Sequence, residues 1–444
     1  MNMLLGRPSR QTARCSAQVS SVNRRSRHKL RLALAIVLGA VCANTGQALA
    51  AYLQTNLVSD IPGLATITDP LLVNPWGMSR SSTSPFWTSN QGTSTATLYA
   101  VTGSTSVSQV LTVNAQGFVG ISTTGAGPQG PTGQVNNTNT ASFQLTPGTP
   151  STSARFIFAD LNGTISGWAG GLMSTIKVTT PGAVYTGLAI NNAGTRLYAA
   201  DSAGGRIDVF DSTFSPVNLG ANAFSDPNIP MGFVPFNVQN IGGKIYVTYA
   251  PAGLPAQRAA TPGQGFVDAF DEDGTSLQRV ITDSQLAAPW GIALAPPGFG
   301  EFGGDLLVGN FSFVASEINA FDAMTGAFEG SIPINVGAGN TPGGLWGLMF
   351  GSGAGNGGDA NTLYFNDGIN GETGGLFGAL AVLRPRPSSS LAPASSRRPG
   401  DARAGSSARR LGIFHGRRGH PRRPRSVRSR MNAEAGSWLF PVIA

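Results

Sequence analysis

Between residues 51 and 383 the chain contains no histidine and no cysteine: His28, His415 and His420, like Cys15 and Cys42, all lie outside that stretch. Their absence removes a Ser-His-Asp triad, a thiolate nucleophile, a disulfide framework, and zinc or haem held by imidazole or sulfur. Charge is scarce too, since Asp, Glu, Lys and Arg make up only 12% of the 444 residues. No helical period outlasts a turn or two. The longest apolar run, Leu32–Ala43, is too short for a stable bilayer span.

The charge that exists is unevenly placed. The formal net charge of +8 reads as a nucleic-acid binder until its location is considered. Residues 1–31 hold eight basic side chains and residues 384–444 hold fourteen, all Arg. Between them stand eight basic and twenty acidic side chains, a net charge of −12. Such a body repels phosphate backbones, so nucleic acid is excluded as its partner.

Both ends differ from the middle. Residues 1–50 carry a basic segment reaching Arg31, then the apolar Leu32–Ala43, then Ala48-Leu49-Ala50, the small residues at −3 and −1 that signal peptidase requires. Cleavage is expected after Ala50, leaving a mature chain with no transmembrane helix, secreted or held at the cell surface after export across the inner membrane. Residues 381–444 are rich in Arg, Pro, Ser, Ala and Gly and are expected to be disordered. A polycation for anionic surfaces is one reading of this tail. A tail translated out of frame is the preferred one.

What the middle does have is a repeat. Its first element is a short strand around a small residue: Asn74-Pro-Trp-Gly-Met78, Pro131-Thr-Gly-Gln-Val135, Tyr185-Thr-Gly-Leu-Ala189, Pro289-Trp-Gly-Ile-Ala293 and Leu345-Trp-Gly-Leu-Met349, with Pro235-Phe-Asn-Val238 as a degenerate copy. The anchors Gly77, Gly133, Gly187, Asn237, Gly291 and Gly347 are 56, 54, 50, 54 and 56 residues apart. A second, apolar strand ends in an Asx residue in five copies: Asn90, Asp160, Asp201, Asn310 and Asp367. A third ends in Phe-Asp at Asp211, Asp271 and Asp322. Alternating apolar and polar positions with aromatic and β-branched enrichment mark strands throughout. Six copies predict an all-β, six-bladed β-propeller over residues 51–380, closed by adding Tyr52–Ser59 to the sixth blade.

These units resemble NHL/TolB-like repeats, most closely over Leu188–Asp201 and Gly205–Phe210. The stretch Leu57–Gly63 through Asp69-Pro70 to Asn74–Gly77 resembles a family of exported bacterial proteins, many of which end in a PEP-CTERM sorting tail. The resemblance implies a six-bladed propeller and export, with no particular reaction. Arg384-Pro-Arg-Pro-Ser-Ser389 stands where Pro-Glu-Pro would be expected and no apolar helix follows, in keeping with the frameshift reading.

Two sets of candidate site residues emerge. In register, Asn90, Asp160, Asp201, Asn310 and Asp367 would end on one face of the ring, where oxygen-only ligands suit Ca²⁺. The alternative is that each caps its following turn, as Asx residues do at strand ends. Trp76, Trp290 and Trp346 share one repeat position, where a ring could stack on a ligand at the channel mouth or pack between blades. Asp271-Glu-Asp-Gly274 begins like a calcium loop but lacks its later ligands, and reads as a hairpin turn. The Gly-rich runs 298–304 and 351–358 lack the lysine of a phosphate loop.

With ordinary catalytic residues absent from an intact scaffold, the expected function is non-catalytic binding of an extracellular protein or polysaccharide by a monomer without a cofactor. The rival is a Ca²⁺-dependent hydrolase or lyase using the Asx positions.

Overall fold

The computed structural model describes residues 52–383, apart from 115, 126, 150, 151, 283 and 284. The leader and the Arg-rich tail lie outside the described residues. Each repeat copy forms one sheet of antiparallel strands, the sixth with Ile67–Thr68 added in parallel at its outer edge, and the six sheets make the six blades of a propeller. Strand order within a blade follows the sequence outward from the axis. Blade 2 shows the pattern: Pro131–Asn136 innermost, then Phe156–Asp160, Thr164–Trp168 and Thr175–Thr179.

The ring closes as the sequence predicts. Tyr52–Ser59 pairs antiparallel with Leu376–Val382 and forms the fourth strand of the sixth blade. That sheet reaches Val382, two residues past the expected limit. Blade 3 departs from the pattern, having only Tyr185–Ile190, Arg196–Asp201 and Arg206–Asp211. The segment that follows contains Pro216, which cannot donate to a ladder. It makes one isolated bridge with Phe210, with bonds from Asp211 N–H to Ser215 O and from Val217 N–H to Val209 O (both 2.8 Å).

Each anchor lies in the innermost strand, at a β-bulge. Opposite the second strand, Trp76-Gly77, Thr132-Gly133, Trp290-Gly291 and Trp346-Gly347 are each two residues facing one. A bulge re-aims the side chain beside it, here the residue before the glycine. The glycine itself is a packing requirement. A Cβ on Gly133 would lie 2.2 Å from Leu188 N, and one on Gly291 2.2 Å from Trp346 O, both backbone atoms of the next inner strand. The inner strands therefore meet backbone to backbone, and the cavity among them encloses only about 20 Å³. The axis is pinched shut midway.

Hydrophobic residues fill each gap between neighbouring blades, with Trp87 and Phe156 stacked between the first two and Leu307 and Phe365 between the last two. Burying each such side chain stabilises the ring by roughly 1.5–3 kcal/mol. Among the described residues no helix is long and apolar enough to cross a membrane.

Candidate functional site

The inner strands all run the same way along the axis, giving an upper end where they begin and a lower end where they stop. The second strands run back and finish at the upper end, so all five Asx residues lie there, each buried. The structure does not gather them. Asp160 Oδ2 accepts Gly130 N–H (3.1 Å) and its Oδ1 accepts Asn162 N–H (3.1 Å). Asp201 Oδ1 accepts Val184 N–H (3.0 Å) and Gly204 N–H (2.9 Å). Asn310 Oδ1 accepts Ala287 N–H (3.0 Å) while its Nδ2 donates to Gln285 O (2.8 Å). Asn90 donates to the hydroxyls of Thr95 (3.1 Å) and Thr97 (3.0 Å).

One role recurs: the oxygen ties the chain entering the blade's first strand to the end of its second. Oxygens already holding backbone N–H groups of separate blades do not fit a six- to eight-oxygen calcium shell. Among the described residues, no group of three or more His, Cys, Asp or Glu could hold a metal ion.

Asn90 and Asp367 depart from this role: Asn90 Oδ1 is buried without a hydrogen-bond partner, and Asp367 departs further. Both its oxygens are buried without a hydrogen-bond partner, and burial pushes its carboxyl well above the usual carboxylate range. The matching loop donor, Gly344 N–H, is taken by Phe311 O (2.9 Å). In Asp160, burial also raises the carboxyl, with its N–H donors opposing the shift.

The three tryptophans do come together. Trp76 and Trp346 stack with centroids 3.5 Å apart, and Trp290 stands edge-on to both, at 6.1 and 5.5 Å. Phe236, the same repeat position in blade 4, and Phe311 pack against Trp346. Trp290 Nε1 crosses the axis to donate to Thr186 O (2.9 Å), and Trp346 Nε1 donates to Asn74 Oδ1 (2.9 Å). The bulges thus aim large aromatics inward to form a plug at the upper end. All three are core residues by burial, and of the three only Trp76 also lines an open basin.

That basin, about 560 Å³, lies over the plug on the side of blades 2 to 4. Leu161, Val184, Val234 and Leu254 make its walls, with Thr186 and Gln257 adding polar groups. No residue lining it is ionisable. The opposite side is covered by a strap. Arg258 Nε donates to Glu372 Oε2 (2.8 Å), joining a blade 4 loop to a blade 6 loop, and Asn74 Nδ2 donates to Glu372 Oε1 (3.3 Å). Glu372 is delivered by a left-handed turn with φ of 58° at Asn370 and 68° at Glu372, a conformation costing about 1–3 kcal/mol per non-glycine residue.

The aliphatic walls come from connections in blades 2, 3 and 4 and from the start of the blade 4 inner strand, and they escaped the sequence reading. One signal was present: blade 4 inserts fourteen residues between Pro251 and Phe266, where blade 2 uses three between Asp160 and Thr164. That insertion carries the short helix Leu254–Arg258. Asp271–Gly274 forms the expected hairpin turn, with Gly274 N–H bonded to Asp271 O (2.9 Å).

No protein-family model matches the chain. Among solved structures it is similar to a virginiamycin B lyase from Staphylococcus aureus, at 12% identity over 75% of this chain and 100% of that one (TM-score 0.44), and no activity is carried over from it. Sequence relatives are closer. The chain is 32% identical over 337 residues to uncharacterized protein R648 of Acanthamoeba polyphaga mimivirus, covering 73% of this chain and 78% of that protein. It is 29% identical over 347 residues to uncharacterized protein L690 of the same virus, covering 75% and 87%. The chain is a six-bladed propeller belonging to the family of these mimivirus proteins.

Proposed function

We propose that the chain is an exported propeller that binds another protein, without catalysis, by taking an apolar side chain of the partner into the upper basin. One observation carries the reading: the basin combines aliphatic walls with the complete absence of ionisable groups. General acid–base chemistry needs a titratable group within hydrogen-bond reach of the reacting atom, and hydroxyls and an amide do not supply it. A desolvated apolar pocket is, in contrast, what holds an interface anchor residue. A protein fits better than a polysaccharide here, because Trp76 is only 1% exposed and offers no open face for a sugar ring.

The leader-like residues 1–50 support export, and the departure of residues 384–389 from Pro-Glu-Pro supports a frameshifted tail. Peptide display against the full chain tests the binding reading. Selected peptides should share one large apolar residue and bind Leu254→Arg at least about tenfold more weakly. Peptides that bind both forms equally would remove it. Amino-terminal sequencing of the exported protein should begin at Ala51, and recovery with Met1 intact in the cytoplasm would end the export reading. Resequencing the gene checks the tail: a second frame without Pro-Glu-Pro and an apolar run refutes the frameshift.

A further inference from the structure

The lower end of the axis holds a different cavity, of about 250 Å³, where the inner strands of blades 1 to 4 stop. Beside aliphatic side chains such as Leu188 and Met349, its lining carries polar groups: Ser79 and Arg80 from blade 1, Gln134 and Asn136 from blade 2, Asn192 from blade 3 and Gln239 from blade 4. Three of these carry a buried polar atom with no hydrogen-bond partner: Ser79 Oγ, Arg80 Nε and Gln134 Oε1. Ser79 and Gln134 are 4% and 5% exposed. Buried polar atoms ordinarily find partners, so three at one cavity call for a physical account.

The orientation of Gln134 is fixed by its neighbours. Its Nε2 donates to Gly77 O (2.9 Å) and Trp87 O (2.7 Å), two carbonyls that can only accept. Oε1 is therefore an acceptor lacking a donor. Arg80 supplies the opposite need. Its Nη2 donates to Phe350 O (2.7 Å), and Phe86 lies 5.9 Å beneath the guanidinium, but no carboxylate among the described residues forms an ion pair with it. No acid lines the cavity, and Glu272 meets its wall only by accepting Asn191 Nδ2 (2.9 Å). Burial lowers the Arg80 pKa, which is the cost of holding this charge without a counter-ion.

A ligand answering all three atoms must present an anionic acceptor to Arg80, a donor to Gln134 Oε1 and a hydroxyl to Ser79. A carboxylate and hydroxyls on one small ring do so. The volume lies below the roughly 300–1,000 Å³ of sites for drug-sized ligands, which limits the occupant to a single residue or chain end.

We propose that the lower cavity is a second binding site, taking one uronic acid sugar with its carboxylate on Arg80 and a ring hydroxyl on Gln134. It is separated from the upper basin by the glycine pinch and stands or falls independently of it.

Calorimetric titration of the full chain with galacturonate and glucuronate, alongside glucose and acetate, tests this site. At least one uronate should saturate, with glucose and acetate each about tenfold or more weaker, as expected when a charge-assisted contact or the hydroxyl contacts are lost. Arg80→Gln should lower uronate affinity about tenfold. Asn136→Asp, a rim change that leaves the core intact, should weaken it several-fold by placing like charge beside the carboxylate. Leu254→Arg at the other end should leave it unchanged. No saturation by either uronate overturns the proposal. So does equal binding of glucose or acetate, or undiminished affinity in a folded Arg80→Gln or Asn136→Asp chain.

Discussion

The two ends of the axis are built by the same six strands and have opposite chemistry. At the upper end the residue before each anchor is Trp76, Thr132, Thr186, Phe236, Trp290 or Trp346, and the result is an aromatic plug beneath an uncharged apolar basin. At the lower end the residues after the anchors in blades 1, 2 and 4 include Ser79, Arg80, Gln134 and Gln239, and the cavity adds amides, a hydroxyl and one unpaired cation to its aliphatic lining. The pinch between them makes this division possible. With backbones in contact at mid-axis, neither end constrains the side chains of the other.

The strongest way to break the comparison is to remove the pinch. Gly133→Val forces a side chain onto Leu188 N and should cost about 3 kcal/mol or more, or prevent folding, with both ends lost together in a denaturant melt. Next comes the plug. Trp346→Ala removes the ring that touches Trp76, Trp290, Phe236 and Phe311, and a loss of about 3–5 kcal/mol is expected. If the chain still folds, its upper end should fail while the lower end continues to bind.

A pH experiment separates the upper end from the outer blades. Burial pushes the Asp268 carboxyl up to about 7 despite Arg279 beside it, and pushes Asp367 higher than ordinary carboxylates. Both folded-state values lie above the unfolded one. The folded chain therefore holds more protons than the unfolded chain between them, and stability falls as pH rises. Melting temperature should be highest near pH 4 and decline through pH 7. Asp367→Asn should raise it at pH 8 and flatten the decline, and an unchanged slope would show that Asp367 contributes nothing to it. The smallest effect sharpens the comparison most. Leu254→Arg and Arg80→Gln should each shift stability by no more than about 1 kcal/mol, yet each should weaken binding about tenfold or more at its own end alone, measured with the selected peptide and with uronate.

Much of the fold was legible because ring closure leaves a mark on sequence. Backbone contact at the axis demands a minimal side chain in each copy, so Gly77, Gly133, Gly187, Gly291 and Gly347 recur at nearly constant spacing. Asn237 is tolerated because its Nδ2 reaches Trp290 O (2.8 Å). The closing role of Tyr52–Ser59 was legible for a similar reason, a strand pattern in front of a last copy that lacked one. The candidate sites were less so. The turn-holding role of Asp160, Asp201 and Asn310 depends on donors from loops between blades, and the orphaning of Asp367 depends on Phe311 taking Gly344 N–H first. Arg80 looks like any surface arginine in sequence. Only the convergence of four blades shows that nothing neutralises it.

The joining of Tyr52–Ser59 to Leu376–Val382 also sets an order of events in the life of the protein. The first described strand has no partner until more than three hundred further residues have appeared, so the circle cannot be completed before the sixth blade has been made. Contacts this distant in sequence form slowly. A ring left open until its sixth blade is made suits the proposed export, in which the chain would cross a membrane unsealed and close when its first and last blade strands meet.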